Sequence, residues 1–118
     1  MIENMTPVKL ARNEGLKEAS TTLAGTIEQT LADPQADRFS DDDYEFLKFH
    51  GVYQGDDRDK RKTGKQYILM VRTKFPGGVL SAQQYMACDR LATQYANNTL
   101  RITTRQDFQF HGVIKANL

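Results

Sequence analysis

Cysteine is almost absent from this chain of 118 residues: Cys88 stands alone. One thiol excludes an internal disulfide framework, a four-cysteine zinc site and a self-contained iron–sulfur cluster. No run of about 18 apolar residues occurs and the mean hydropathy is −0.62, which excludes a membrane-spanning helix. The first ten residues contain Glu3 and no apolar stretch, so they do not read as a secretory signal. An intracellular, reducing, cytoplasmic setting fits these absences. Charge of one sign is lacking too. Sixteen basic against fifteen acidic side chains leave +1, which argues against a general nucleic-acid binder. There is no Gly-rich phosphate loop, nucleophile elbow, H-E-x-x-H helix, paired-cysteine motif or internal repeat. What remains is enough for one small domain with a modest core.

The near-zero charge conceals an asymmetry. Residues 1–65 hold ten basic and thirteen acidic side chains, a net −3, while residues 66–118 hold six basic side chains against Asp89 and Asp107, a net +4. A small anionic ligand therefore suits the second half. Three stretches follow from composition and punctuation. Residues 1–39 read as an N-terminal helical arm: 1–19 is polar and needs a partner surface, then Ser20 caps a helix to about Asp33 with Leu23, Ile27 and Leu31 on one stripe, ended by Pro34. Residues 40–65 read as a short helix and a charged loop. Ser40 caps the helix, Asp41, Asp42 and Asp43 fill its first turn, and Tyr44, Leu47 and Phe49 give it something to bury. The acidic run also admits a metal site, but the favourable field at a helix start is the plainer account. Gln54 to Lys65 has no periodicity and reads as a solvated loop.

Residues 66–75 are β-branched and aromatic and read as a strand closed by Pro76-Gly77-Gly78, with Arg72 and Lys74 sharing a face with Ile68 and Met70. Ser81 to Gln84 form a capping box, opening a helix with Tyr85, Cys88, Leu91, Ala92 and Tyr95 on one stripe and Asn97-Asn98 at its end. Cys88 reads as a small core residue on that stripe. From Leu100 to Lys115 parity is informative. Even positions are largely apolar, whereas odd positions are Arg101, Thr103, Arg105, Asp107, Gln109 and His111. If the chain stays extended, one face aligns guanidiniums, a hydroxyl, an amide and an imidazole; a kink near Arg105–Asp107 breaks the alignment. Arginine forks match carboxylates and oxyanions bidentately. An exposed sheet face is also polar by default, and that alternative stays open on periodicity alone.

Four stretches in order add a resemblance: K-F-H-G-V-Y-Q at 48–54 with D-D-R-D at 56–59, M-V-R-T-K-F-P-G-G at 70–78, L-R-I-T-T-R-Q at 100–106 and F-Q-F-H-G-V-I-K at 108–115. Together they resemble the N-terminal part of the assimilatory sulfite reductase hemoproteins, in the siroheme nitrite/sulfite reductase family, over residues 40–118. Gly55 departs from the family pattern, which carries a second Gln there.

The resemblance implies an α+β fold: N-terminal helices followed by a partial ferredoxin-like β-α-β unit, residues 66–118, with a largely antiparallel sheet. It implies an oxidoreductase that reduces sulfite to sulfide in sulfur assimilation, taking six electrons at a siroheme coupled to a 4Fe–4S cluster. Siroheme is a polycarboxylate macrocycle. Arg101, Thr103, Thr104, Arg105, Gln109 and His111 match the family's siroheme-contacting strand, and Arg72 matches an arginine that binds the substrate anion. The cluster's cysteines lie in a later segment in the family. The expectation is therefore a piece of a longer polypeptide, cut at Leu118, carrying no metal or cofactor alone, inactive, and prone to self-association through an uncovered sheet. An electron donor, flavoprotein or ferredoxin, is implied as a partner. The alternatives are the nitrite-reducing branch, giving ammonia, and a non-catalytic anion- or tetrapyrrole-binding module.

Overall fold

The computed structural model describes residues 7–118. In order these form α1 (Arg12–Ala19), α2 (Ile27–Ala32), α3 (Asp41–Phe49), β1 (Val52–Asp56), β2 (Tyr67–Arg72), α4 (Ala82–Tyr95), β3 (Leu100–Ile102) and β4 (Phe108–Val113), with single 3-10 turns at Arg58–Lys60, Pro76–Gly78 and Lys115–Asn117. The strands make one antiparallel sheet in the order β1-β2-β4-β3. Because β2 and β3 both run antiparallel to β4 between them, they are parallel to each other. Joined through α4, they form the split β-α-β unit of ferredoxin-like folds. The α+β class with an antiparallel sheet is the one expected. No helix among the described residues is long and apolar enough to cross a membrane.

Both longer helices start where their caps dictate. The Ser40 hydroxyl accepts from the Asp43 amide at 3.2 Å, and Ser81 accepts from the Gln84 amide at 3.1 Å while Gln84 Oε1 accepts from the Ser81 amide at 2.7 Å. α3 and α4 lie on the same face of the sheet. Between them and the strands is one apolar core of Phe39, Leu47, Val52, Leu69, Cys88, Ala92, Phe108, Phe110 and Val113. Phe75 and Tyr85 add edge-on contacts to the Phe108 ring at 5.3 and 5.9 Å between centroids. Cys88 is buried here as expected, and burial pushes its thiol up from its usual range.

The acidic run at 41–43 divides its work. Asp41 and Asp42 sit in the first turn of α3, but Asp43 is buried and takes hydrogen bonds from the Thr26 amide at 3.0 Å and the Thr26 hydroxyl at 2.5 Å. That carboxylate anchors the preceding segment. Gly25 makes the approach possible: it has φ +50°, and a β-carbon there would stand 2.4 Å from Asp43 Oδ1.

Five local expectations change. Ser20 does not cap a helix to Asp33; it ends α1, which forms within the expected arm, and the second helix begins only at Ile27, after the Gly25 turn. α1 buries nothing and is held to α3 by the Arg12–Asp42 ion pair and by Asn13 donating to Glu45 at 3.1 Å. Of the stripe Leu23, Ile27 and Leu31, only Ile27 reaches the core. In α3 it is Phe46 that is buried, beside Asp43 against the Gly25 turn, while Leu47 joins the sheet core and Phe49 is 54% exposed. The stretch from Gln54 is not all loop, since Gln54, Gly55 and Asp56 belong to β1 and pair with Leu69, Ile68 and Tyr67. Their polarity hides a strand whose partner is across a hairpin. β2 stops at Arg72, short of Phe75. The segment from Leu100 takes the alternative left open, breaking at 103–107 into two strands. The first six residues of the expected arm lie outside the described residues.

Candidate anion-binding sheet face

The register of β2, β4 and β3 sets the site. Gln109 lies opposite Arg72 on one side and Arg101 on the other. Directly opposed residues share a face, so Arg72, Gln109 and Arg101 form one row across three strands, with neighbouring β-carbons about 4.5–5.5 Å apart. The next row, Val71, Phe110 and Leu100, faces the core. Alternation thus puts a cationic row on the face away from α3 and α4. A register shift between Leu69 and Val71 bulges β4 at His111 and Gly112. Both residues then line a depression of about 200 Å³ with Tyr53, Ile68 and Met70.

The side chains of this face are organised but not saturated. His111 Nε2 lies 3.0 Å from Gln109 Oε1, so the imidazole presents N–H to the amide oxygen. Burial, and secondarily the Arg101 charge, hold this imidazole below the usual histidine range. The Arg72 guanidinium lies over the Tyr53 ring at 5.3 Å, and its buried Nε has no hydrogen-bond partner among the described residues. No ion pair found among the described residues involves Arg72, Arg101 or Arg105. A half-buried guanidinium without a carboxylate partner among the described residues, two strands from a second one, has the chemistry to accept a carboxylate or an oxyanion.

The expected site residues fall into two groups. Arg72, Arg101, Gln109 and His111 come together on the open face. Thr103, Thr104 and Arg105 sit at the β3–β4 turn, where Thr104 and Arg105 are exposed. The turn replaces the single extended strand: the Gln106 amide donates to the Thr103 carbonyl at 3.0 Å, the Thr103 amide to the Asp107 carbonyl at 2.9 Å, and Gln106 takes a left-handed φ of +62°. Reversal places Arg101 across from Gln109 instead of eight residues along the same strand. Lys74 lies exposed beyond the end of β2 and leaves the row. Tyr53 was not among the residues expected here. Its position follows only from the β1–β2 register, which puts it opposite Met70.

Known proteins resemble this chain in sequence and fold. The family model of the nitrite/sulfite reductase ferredoxin-like half domain matches residues 60–118. The sulfite reductase [NADPH] hemoprotein beta-component of Staphylococcus haemolyticus is 51% identical over 116 residues, covering 93% of this chain and 20% of the relative. The protein of that name in Xanthomonas campestris pv. campestris is 50% identical, with 89% and 20% covered, and that in Bordetella petrii 49% identical, with 98% and 21% covered. The chain thus spans about a fifth of the length of these relatives. Among solved structures, the Mycobacterium tuberculosis NirA protein superposes with a TM-score of 0.72 over 93% of this chain and 22% of its own, at 22% identity, which speaks to the fold. With its split β-α-β unit and the matched half domain, the chain belongs to the nitrite/sulfite reductase family.

Proposed function

We propose that this chain is the siroheme- and substrate-contacting N-terminal portion of a cytoplasmic sulfite reductase hemoprotein, which reduces sulfite to sulfide in sulfur assimilation. The observation that carries the proposal is the row Arg72, Gln109, Arg101 with a buried Arg72 Nε that nothing in the described chain satisfies. Relatives about half identical are sulfite reductase hemoproteins by name. In this reading residues 66–118 are the half domain, 40–65 supply its edge strand and charged hairpin, and 1–39 form the helical arm.

The donor set fits a tetrapyrrole carrying several carboxylates. Arg101, Gln109 and His111 hold it from the open face, and Thr104 and Arg105 do so from the turn, with Thr103 shaping that turn. Siroheme, when bound, supplies the site at which electrons reach sulfur. The protein supplies fixed positive charge. Arg101 and Arg105 neutralise peripheral carboxylates, and His111, held below the usual histidine range with its Nε2–H on Gln109, orients that amide without adding repulsion to Arg101. Arg72 binds the substrate dianion through its unused fork and stabilises charge as sulfur–oxygen bonds are protonated and broken. A 4Fe–4S cluster does not fit this chain, whose one cysteine lies on α4 and is buried in the core. In the proposal its ligands belong to the rest of the polypeptide, and a flavoprotein or ferredoxin delivers the electrons.

Full-length protein should reduce sulfite faster than nitrite in steady state. Arg72→Ala should lower sulfite turnover by about 10²-fold or more with siroheme retained. Arg101→Ala and Arg105→Ala should instead lower siroheme per chain, read from visible absorbance. Unchanged sulfite kinetics in Arg72→Ala, together with full siroheme in both other variants, would sink the proposal.

A further inference from the structure

The geometry points to Asp107 as a positioning residue: through the Thr103 hydroxyl it locks the β3–β4 turn and so fixes where Thr104 and Arg105 are presented. This rests on the siroheme reading and refines it, because it assigns Thr103 to the turn and not to the cofactor.

A threonine hydroxyl has one donor and two acceptor positions. In Thr103 all three are occupied. It donates to Asp107 Oδ1 at 2.5 Å and accepts from the Arg105 amide at 3.1 Å and the Asp107 amide at 3.4 Å. No capacity is left for a macrocycle carboxylate. Those contacts bind the first, third and fifth residues of the turn into one unit, and Thr104 and Arg105 lie inside it. Asp107 is itself buried, 8% exposed, and is one of only two acidic residues in the basic half. A carboxylate so placed opposes anion binding, so its useful role is local: it orients the Thr103 O–H, freeing the oxygen lone pairs for the two amides.

The turn needs such a lock. Gln106 holds a left-handed backbone that a non-glycine residue adopts at a cost. It is also pressed against the Pro76–Gly78 turn. Gly78 has φ +71°, and a β-carbon there would meet Gln106 Cβ at 2.9 Å and Oε1 at 3.0 Å. The P-G-G and T-T-R-Q stretches, 25 residues apart, are therefore two halves of one clamp. The P-G-G turn follows β2 after three residues and T-T-R-Q follows β3 directly, so the clamp ties the strand carrying Arg72 to the hairpin carrying Arg101.

The test uses full-length protein in five variants: Thr103→Val, Thr103→Ser, Asp107→Ala, Asp107→Asn and Arg101→Ala. Two quantities are read, siroheme per chain by absorbance and peptide-level hydrogen–deuterium exchange over residues 100–110. Thr103→Val and Asp107→Ala should speed exchange about tenfold and lower siroheme at least about threefold. Thr103→Ser and Asp107→Asn keep the hydrogen-bond geometry and should stay within about twofold of wild type on both. Arg101→Ala should lose siroheme with exchange at the turn unchanged. Siroheme lost from Thr103→Val with exchange unchanged would make Thr103 a direct contact and overturn the inference, as would full siroheme with fast exchange. If wild type itself takes up no siroheme, the cofactor reading falls. The exchange data on Thr103→Val and Asp107→Ala then still decide the turn lock alone.

Discussion

The two faces of this one sheet are built from the same strands and meet opposite fates. Toward α3 and α4 the strands present Val52, Leu69, Phe108, Phe110 and Val113, all buried and all in contact with other apolar groups. Toward the other side the same strands present Tyr53, Ile68, Met70, Arg72, Arg101, Gln109 and His111. The first face is covered by α3 and α4 except at Ile102, which is opposite Phe108 and 80% exposed. The second carries a buried donor with no acceptor and two guanidiniums with no carboxylate partner among the described residues. The buried Arg72 Nε, unpartnered among the described residues, is what separates this face from a merely solvated one, and it is the feature that supports the binding role proposed for it.

That contrast can be broken by substitution. Leu69→Ala on the core face should cost about 2–5 kcal/mol, seen as a fall in the urea midpoint with unchanged slope. A loss below about 1 kcal/mol would show that the helical face is loosely packed. Arg72→Met on the open face keeps the aliphatic stem over Tyr53 and removes the orphaned Nε. Stability should stay within about 1 kcal/mol or rise, although sulfite turnover falls. A large destabilisation would make Arg72 a structural residue.

The smallest effect concerns His111. Its folded-state imidazole titrates below the ordinary value of 6.5, so the unfolded chain binds the proton more readily. The stabilising contribution is full above about pH 6.5 and is lost as pH falls through the lower folded value. The stability difference between wild type and His111→Gln should therefore shrink as pH drops from 7 toward 5. A difference independent of pH would contradict the environment described for this ring.

How legible all this was depended on distance along the chain. The caps at Ser40 and Ser81, the buried Cys88 and the left-handed Asn98 are settled within a few residues, and the sequence shows them directly. The period-two alternation of 100–111 also correctly separates Arg101, Gln109 and His111 from Leu100, Phe108 and Phe110. β1 was illegible because its second half is polar, and its strand character comes from pairing with β2. The role of Asp43 was equally hidden, since its partner Thr26 lies 17 residues earlier.

The amino-acid sequence by itself determined which residues could serve an anion: arginines, an amide and an imidazole on one parity of basic, β-rich segments, in motifs that resemble one family. Tertiary structure decided which of them meet. A turn at 103–107 folds Arg101 back against Gln109, the β2–β4 pairing brings Arg72 to the same row, and Thr103 is drawn away into the turn. Side-chain parity is a property of the local backbone. Register is set by packing and turn geometry across strands far apart in the chain, and only the folded molecule holds it.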